Sequence, residues 1–446
     1  MKQLFALLAA LAGPLFSVAQ NASHPVICGN EIFSRVVREK YPDLQANFDA
    51  TFDQAKAYGQ SAAADRSPLT VNVVVHVVWK KNEENLADSI IENQIQVLNE
   101  DFNRLNADTA NLRAFFKDAA GSADIHFQLA EIVRVPTTKE FTLDLLGGSL
   151  LSELKHSSQG GSDAWPTENY LNIWVCKLQP TVIFGIPVGQ VLGFAFPPAD
   201  LANWPAGSNA PTPAEDGVVI DFRVFGRNNP NTVQIPGGGG TLTVKGRTPV
   251  HEVGHYLGLR HIWGDGGLLG PNDCAQSDGI DDTPFASAQS AFDCDKTKNT
   301  CQVQEPFYNA DADDLIENYM DYASEDCMNM FTKGQVALMR SVLQGPRSGL
   351  INSVGTQEPV AGLDLQLAPN PAQDRLSLRF DLPQPGEVAV RILGADGRFV
   401  SEQPAAHFTS GLQQVEVETQ HLPAGLYLVE VRTAAGVAVR KLQVAR

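Results

Sequence analysis

Residues 251–261 read HEVGHYLGLRH, and this run constrains the chain around it more tightly than any other stretch. His251 and His255 stand four apart, so on a helix both imidazoles leave one face, one turn apart. Gly258 then lets the backbone take a positive φ and leave the helix. That turn brings His261 back to the same point. Three neutral imidazoles suit a tetrahedral zinc ion with one corner open, the donor set of a catalytic site rather than a closed structural one. Glu252, beside the first histidine, reaches a water in that corner but is not placed as a third ligand. Its role is general base, then proton donor to a leaving amine. A bare HExxH arises by chance in helices. The extended HExxHxxGxxH spacing is far more restrictive and predicts a catalytic zinc helix, with the ion polarising a scissile carbonyl.

The chain also reads as an exported one. MKQLFALLAALAGPLFSVAQ has Lys2, then Leu, Ala and Phe, then small residues up to Ala19. This is the pattern of a secretory signal over residues 1–19. Its apolar run is short of the ~20 residues that span a bilayer, and no later segment is long and apolar enough. The expectation is a secreted or surface-attached protein with no transmembrane segment. A formal net charge of −18 lacks the basic footprint that nucleic acid needs, and suits an acidic exported surface or bound cations. Six cysteines are present, and Cys274, Cys294, Cys301 and Cys327 follow the histidine stretch. In an exported chain these four read as two disulfides. All three pairings stay open, and zinc ligation is the alternative, although no CxxC pair occurs.

The 446 residues are enough for about three domains. Residues 20–66 are polar and alanine-rich, and read as a pro-segment ending in QSAAADRSP, which looks open to cleavage. LTVNVVVHVVW suits a buried strand. ADSIIENQIQVLNEDFNRL carries Ile90, Ile91, Ile95, Leu98 and Phe102 at helical spacing, with Asp88 and Ser89 as caps. DIHFQLAEI, YLNIWVCKL and DGVVIDFRVFG (216–226) read as further strands. His76 and His126 lie inside apolar strands and read as satisfied core histidines, not ligands. Residues 266–318 are rich in Asp, Gly and Asn. A loop this long is either functional or tied down, here by disulfides and by calcium. KGQVALMRSVL closes the domain as a helix. Residues 344–362 read as a linker. Residues 363–446 hold alternating runs between PQPG, GADG and LPAG, a small all-β sandwich.

The extended histidine motif resembles that of the metzincin clan of zinc peptidases. ENYMDYASEDCMNMF supplies Met320 for the clan's Met-turn, with Tyr322 two residues on. Within the clan, DGVVIDFRVFG, HEVGHYLGLRHIWGD, SDGIDDTP and NYMDYASEDCMNMFTKGQ resemble the pappalysin family in the same order. The resemblance implies an α+β, two-lobed catalytic domain over residues 67–343. Its upper lobe is a twisted mixed sheet plus helices, and its lower lobe is irregular. Met320 is implied as a hydrophobic floor under the zinc, and Tyr322 as a stabiliser of the tetrahedral intermediate. SDGIDDTP corresponds to a calcium loop, with Asp278, the Asp281 carbonyl and Thr283 as ligands. The implied disulfides are Cys274–Cys301 and Cys294–Cys327. DGVVIDFRVFG is implied as the edge strand along which an extended substrate lies. Glu325 resembles an acidic position lining the pocket for the residue after the cut, where a carboxylate favours Arg or Lys. Cys28, in VICGNE, resembles a family Cys-Gly whose thiolate fills the open zinc position in a latent precursor. Asn follows this glycine where Thr is expected. Cys176 reads as a buried thiol.

LAPNPAQDRLSLRF, LPAGLYLVEV and the terminal KLQV resemble the sorting domain of the type IX secretion system. That implies a second export signal, recognised by secretion machinery, with release or attachment at the cell surface. The rival is a fibronectin-like sandwich that binds substrate. The combined expectation is a secreted zinc-dependent endopeptidase acting on proteins or peptides and made as a latent zymogen. The alternatives are a non-catalytic zinc-containing surface adhesin or binding module, a hydrolase of non-peptide amides, and an aminopeptidase. The intact Glu252 argues against the adhesin, since a structural site needs no base.

Overall fold

The computed structural model describes residues 26–28, 67–143, 150–183, 186–199, 201, 209–234, 240–264, 274, 277–352, 365–382, 384–394, 399–433 and 436–446. The expected signal peptide, the pro-segment apart from residues 26–28, and residues 353–362 of the expected linker lie outside the described residues. The chain divides into two compact units, Met1–Ile351 and Asn352–Arg446. Among the described residues no helix is long and apolar enough to cross a membrane.

The first unit is organised by Leu69–Trp79, whose valines are buried on both faces. A nearly continuous β-branched run of this kind belongs in the middle of a covered sheet. The sheet runs in the order Val26–Cys28, Ile186–Ala195, Val218–Asp221, Leu171–Cys176, Leu69–Trp79, Ile125–Pro136, with Thr181–Ile183 also paired to Ile186–Ala195. The last four are mutually parallel. Ile186–Ala195 runs antiparallel to Val218–Asp221, and Val26–Cys28 lies parallel to it.

This order overturns the expectation that residues 216–226 form the edge. Val218–Asp221 is internal and wholly buried. Residues Phe222–Val224 then turn into a 3-10 helix, with the Asp221 side chain accepting from the Arg223 N–H. An apolar VVI run is what a strand covered on both faces requires. The strand beyond it, IPVGQVLGFA, hides its nature in sequence behind Pro187, Gly189 and Gly193.

Asp88–Phe102 forms the helix that backs this sheet, with Ile90, Ile91, Ile95, Leu98 and Phe102 buried as their spacing predicts. The capping expectation fails. Ala87 is the N-cap and makes no side-chain cap bond, while Asp88 lies in the first turn and pairs with Arg134 on the neighbouring strand. His76 is satisfied in the core. Its Nδ1 meets Ser162 Oγ at 2.8 Å and its Nε2 meets Asn172 Oδ1 at 2.9 Å. His126 is half-buried.

From residue 277 to 330 the chain is mostly turns, stapled by the disulfides Cys274–Cys301 and Cys294–Cys327. Lys333–Gln344 is the closing helix. Thr332 accepts from the Gln335 N–H, and the Gln335 side chain returns to Thr332, a complete capping box. The first residues of the expected linker pack onto this unit. Arg347 is buried, donates to the Tyr256 carbonyl at 2.9 Å and pairs with Asp216.

The second unit has two antiparallel sheets. One holds Gln366–Ala368, Arg375–Leu382 and Gly411–Glu418. The other runs Phe399–Phe408, Gly386–Gly394, Gly425–Thr433, Gly436–Val444. Leu376, Leu378 and Phe380 from the first meet Val390, Ile392 and Val429 from the second in one core.

Candidate metal centre

The helix Arg247–Tyr256 carries the first two histidines. Its first residue anchors it. The Arg247 guanidinium pairs with Asp101 at 3.2 Å and Asp108 at 2.7 Å, and donates to the Glu325 carbonyl at 2.6 Å. The helix ends at Leu257, and Gly258 takes φ +94°, the left-handed turn expected. A Cβ there would lie 2.7 Å from Leu201 Cδ2, so the turn needs glycine for space as well. His261 thereby returns to its partners.

The three Nε2 atoms converge, with His255 3.1 Å from both His251 and His261, and His251 3.2 Å from His261. His251 Nδ1 lies 2.7 Å from the Tyr319 carbonyl, and His255 Nδ1 lies 2.8 Å from the Leu259 carbonyl. A carbonyl only accepts, so both Nδ1 atoms carry the proton and both Nε2 atoms present lone pairs. Lone pairs aimed at one another at this distance repel unless a cation lies between them. Tetrahedral zinc with bonds of about 2.0–2.1 Å holds its nitrogens about 3.3 Å apart, so this donor set fits the ion. Cys28 completes the group, with its Sγ and the three histidine ligand atoms all within 4.8 Å of one another and buried. Its backbone N–H donates to the Tyr322 hydroxyl at 2.8 Å.

Glu252 is buried beside this cluster, and burial pushes its carboxyl up to about 8, an effect that the neighbouring Cys28 thiol partly offsets. Among the described residues, neither carboxylate oxygen makes a hydrogen bond of ordinary geometry that ties it into the fold. Met320 is fully buried, and a Cβ on Gly254 would lie 2.5 Å from its sulfur, so the turn presses directly against the helix. Asn318 Oδ1 accepts from the Met320 N–H at 2.9 Å and fixes that turn. The Tyr322 ring lies 5.1 Å from His261 and 5.6 Å from His251. Trp263 stacks on His261 with centroids 4.3 Å apart and planes within 7°.

Leu192, Leu242, Thr248, Phe292, Ala323 and Met328 line a mostly apolar cavity beside the centre. Glu325 also faces it, but not as an open carboxylate for a basic side chain. One oxygen accepts from the N–H groups of Lys245 and Arg247, the other from Thr248 N–H and Oγ at 2.8 and 2.9 Å. A carboxylate on the first N–H groups of a helix is a cap, and favourable to the helix dipole. The acidic position sits where expected, yet its lone pairs serve the histidine helix.

In the expected calcium loop, Asp278 and Thr283 are buried side by side, with Thr283 Oγ1 donating to Asp278 Oδ1 at 2.6 Å. Asp281 is exposed. Cys176 is buried, and burial raises its thiol well above the usual range. Sequence reading overlooks Trp263, Arg247 and Gly193. Trp263 lies within the quoted motif stretch but carries no spacing rule. The other two matter through contacts across the fold, and no local pattern marks them.

Residues 239–344 match the model of peptidase family M43, described as pregnancy-associated plasma protein-A. Residues 366–445 match that of the secretion system C-terminal sorting domain. An extracellular metalloprotease of Arthroderma benhamiae is 28% identical over 302 residues, spanning 67% of this chain and 79% of the relative. Mature mirolysin of Tannerella forsythia, solved with a cleaved peptide, is 37% identical over 64% of this chain and 97% of its own, with a TM-score of 0.51. A promirolysin mutant of that organism is 34% identical over 73% of this chain and 96% of its own, with a TM-score of 0.55.

Proposed function

Because the chain belongs to the family of pregnancy-associated plasma protein-A, the pappalysins, and is a secreted zinc metallopeptidase with a sorting domain, we propose that it is an endopeptidase made as a latent precursor. The observation that carries this reading is the convergence of His251, His255 and His261 with Glu252 and Cys28 in one buried place. Zinc held by the three histidines supplies Lewis-acid polarisation of a scissile carbonyl and lowers the pKa of water toward ~7. Glu252 holds the proton that the attacking water gives up and passes it to the leaving amine. Its carboxyl, raised by burial, is drawn back down by a positive charge at the histidines, so it begins as a base. The Tyr322 hydroxyl donates to the charge that develops on the carbonyl oxygen. Met320 keeps the floor apolar and fixed.

Ile186–Ala195, not residues 216–226, is the strand on which an extended substrate adds. In the precursor Val26–Cys28 pairs along that strand, and the Cys28 thiolate would join the three histidines in holding the zinc. Loss of residues 20–66 opens the cleft. Residues 1–19 act as the signal peptide. The domain over 363–446 hands the protein to type IX machinery for release or surface attachment. Calcium at Asp278, the Asp281 carbonyl and Thr283 orders the stapled loop. The adhesin alternative is weakened by Glu252, a buried carboxylate with no hydrogen-bond partner holding it among the described residues.

The test uses the full chain, loaded with zinc and calcium and incubated with a protein substrate and with end-blocked peptides, beside Glu252→Ala. Cuts are mapped by mass spectrometry. Internal cuts made only by the unsubstituted chain, and abolished by a chelator, are expected. No cuts by either protein, despite one bound zinc and loss of the pro-segment, overturn the reading in favour of a binding module.

A further inference from the structure

Gly193 lies in the regular strand Ile186–Ala195 and is not one of the glycines with positive φ. Its backbone conformation therefore does not ask for glycine. Space does. A Cβ at this position would stand 2.5 Å from Glu252 Cγ, 2.5 Å from Oε1 and 2.7 Å from Cδ. Ordinary carbon contacts begin near 3.5 Å, so about 1 Å of movement would be needed.

Three parts surround that contact, and only one can move. Gly193 is held in its strand by pairing to Ile220, and before the loss of residues 20–66 to Cys28 on its other side as well. The helix bearing Glu252 also bears His251 and His255, so shifting it would pull their Nε2 atoms away from that of His261, now 3.2 and 3.1 Å distant. What is left is the Glu252 side chain, which lines the cavity beside the centre and can turn into it.

We propose that Gly193 is a positioning residue for Glu252: the side chain missing from the strand is the space that holds the carboxylate at the open corner of the metal centre. The inference rests on the peptidase reading for its catalytic meaning, and on steric contact alone for its physical content. Any side chain at 193 turns the carboxylate away while leaving the three histidines in place. A displacement of 1 Å in a reacting group costs on the order of 100-fold in rate.

The experiment compares the full chain with Gly193→Ala, Glu252→Ala and the double variant, under conditions that activate the unsubstituted protein. For Gly193→Ala, kcat is expected to fall about 100-fold with KM within about twofold, and with one zinc per chain by elemental analysis. The thermal midpoint is expected to fall in the Glu252 background and to stay unchanged in the Glu252→Ala background, where the clashing atoms are gone. If Gly193→Ala alone fails to fold, the double variant is expected to fold. Undiminished kcat overturns the proposal, and so does an equal loss of thermal midpoint in both backgrounds. Should the unsubstituted chain cut nothing, it is the peptidase reading that falls, and the unfolding comparison still decides the contact.

Discussion

The backbone N–H of Cys28 donates a 2.8 Å hydrogen bond to the Tyr322 hydroxyl, across 294 positions of sequence. One phenol thus ties Val26–Cys28 to the wall of the cleft. The same phenol is the donor assigned to the developing oxyanion. Tyr322→Phe is therefore expected to act in two directions. In the activated protein, kcat falls about 100-fold, the usual loss of one such donor. In the precursor, the pro-segment strand is held less firmly and self-processing starts sooner. Progress curves and initial rates separate the two effects.

Cys28→Ala removes the fourth donor from the metal centre without touching the histidines or Glu252. The precursor is expected to lose its lag in a progress curve, while kcat after full activation matches that of the unsubstituted protein. A lag of unchanged length would remove the thiolate from the account of latency and leave the paired strand alone to explain it.

Glu325→Ala strips the cap from the histidine helix and leaves three backbone N–H groups and the Thr248 hydroxyl without their acceptor. A loss of about 2 kcal/mol in urea unfolding is expected. Glu325→Gln keeps an acceptor oxygen and costs less. Neither change is expected to move the side-chain preference of cleavage, because this carboxylate is already bonded. A switch away from Arg or Lys in Glu325→Gln would show the opposite.

His76 gives the fold an acid limit. Burial lowers its pKa from 6.5 to about 4, against the pull of its bond to Asn172. Between these values the unfolded chain binds a proton that the folded chain refuses. Stability therefore rises with pH through this window and falls as pH drops from 6.5 toward 4. The full effect of this one residue is about 3 kcal/mol. His76→Gln is expected to flatten that part of the stability curve in denaturant titrations at stepped pH.

The histidine motif was legible because it is local. A helix, a glycine with positive φ and three nitrogens all lie within eleven residues, so spacing alone places them. Two disulfides were legible from four cysteines in an exported chain, but their pairing and the Met320 turn were legible only through resemblance, since the partners lie far along the chain. The edge of the sheet was misread for a physical reason. VVI advertises a strand through β-branching, whereas LGFA carries a glycine that the site demands and that weakens the strand signal. Glu325 was located, but its bonds to the start of the histidine helix were not foreseen. Its partners, Lys245 to Thr248, begin a helix some eighty residues earlier, and no sequence pattern announces a cap that comes from so far away.

Val26–Cys28 has a further consequence beyond the cleft. These residues cover Gln190–Gly193, a stretch of sheet border. An uncovered border is adhesive toward any extended backbone, a second copy of the same chain included. While Val26–Cys28 is paired there, that border is covered. The pairing thus also shields that border from other chains, and the chain without residues 20–66 is expected to self-associate more readily than the full chain at matched concentration in light scattering.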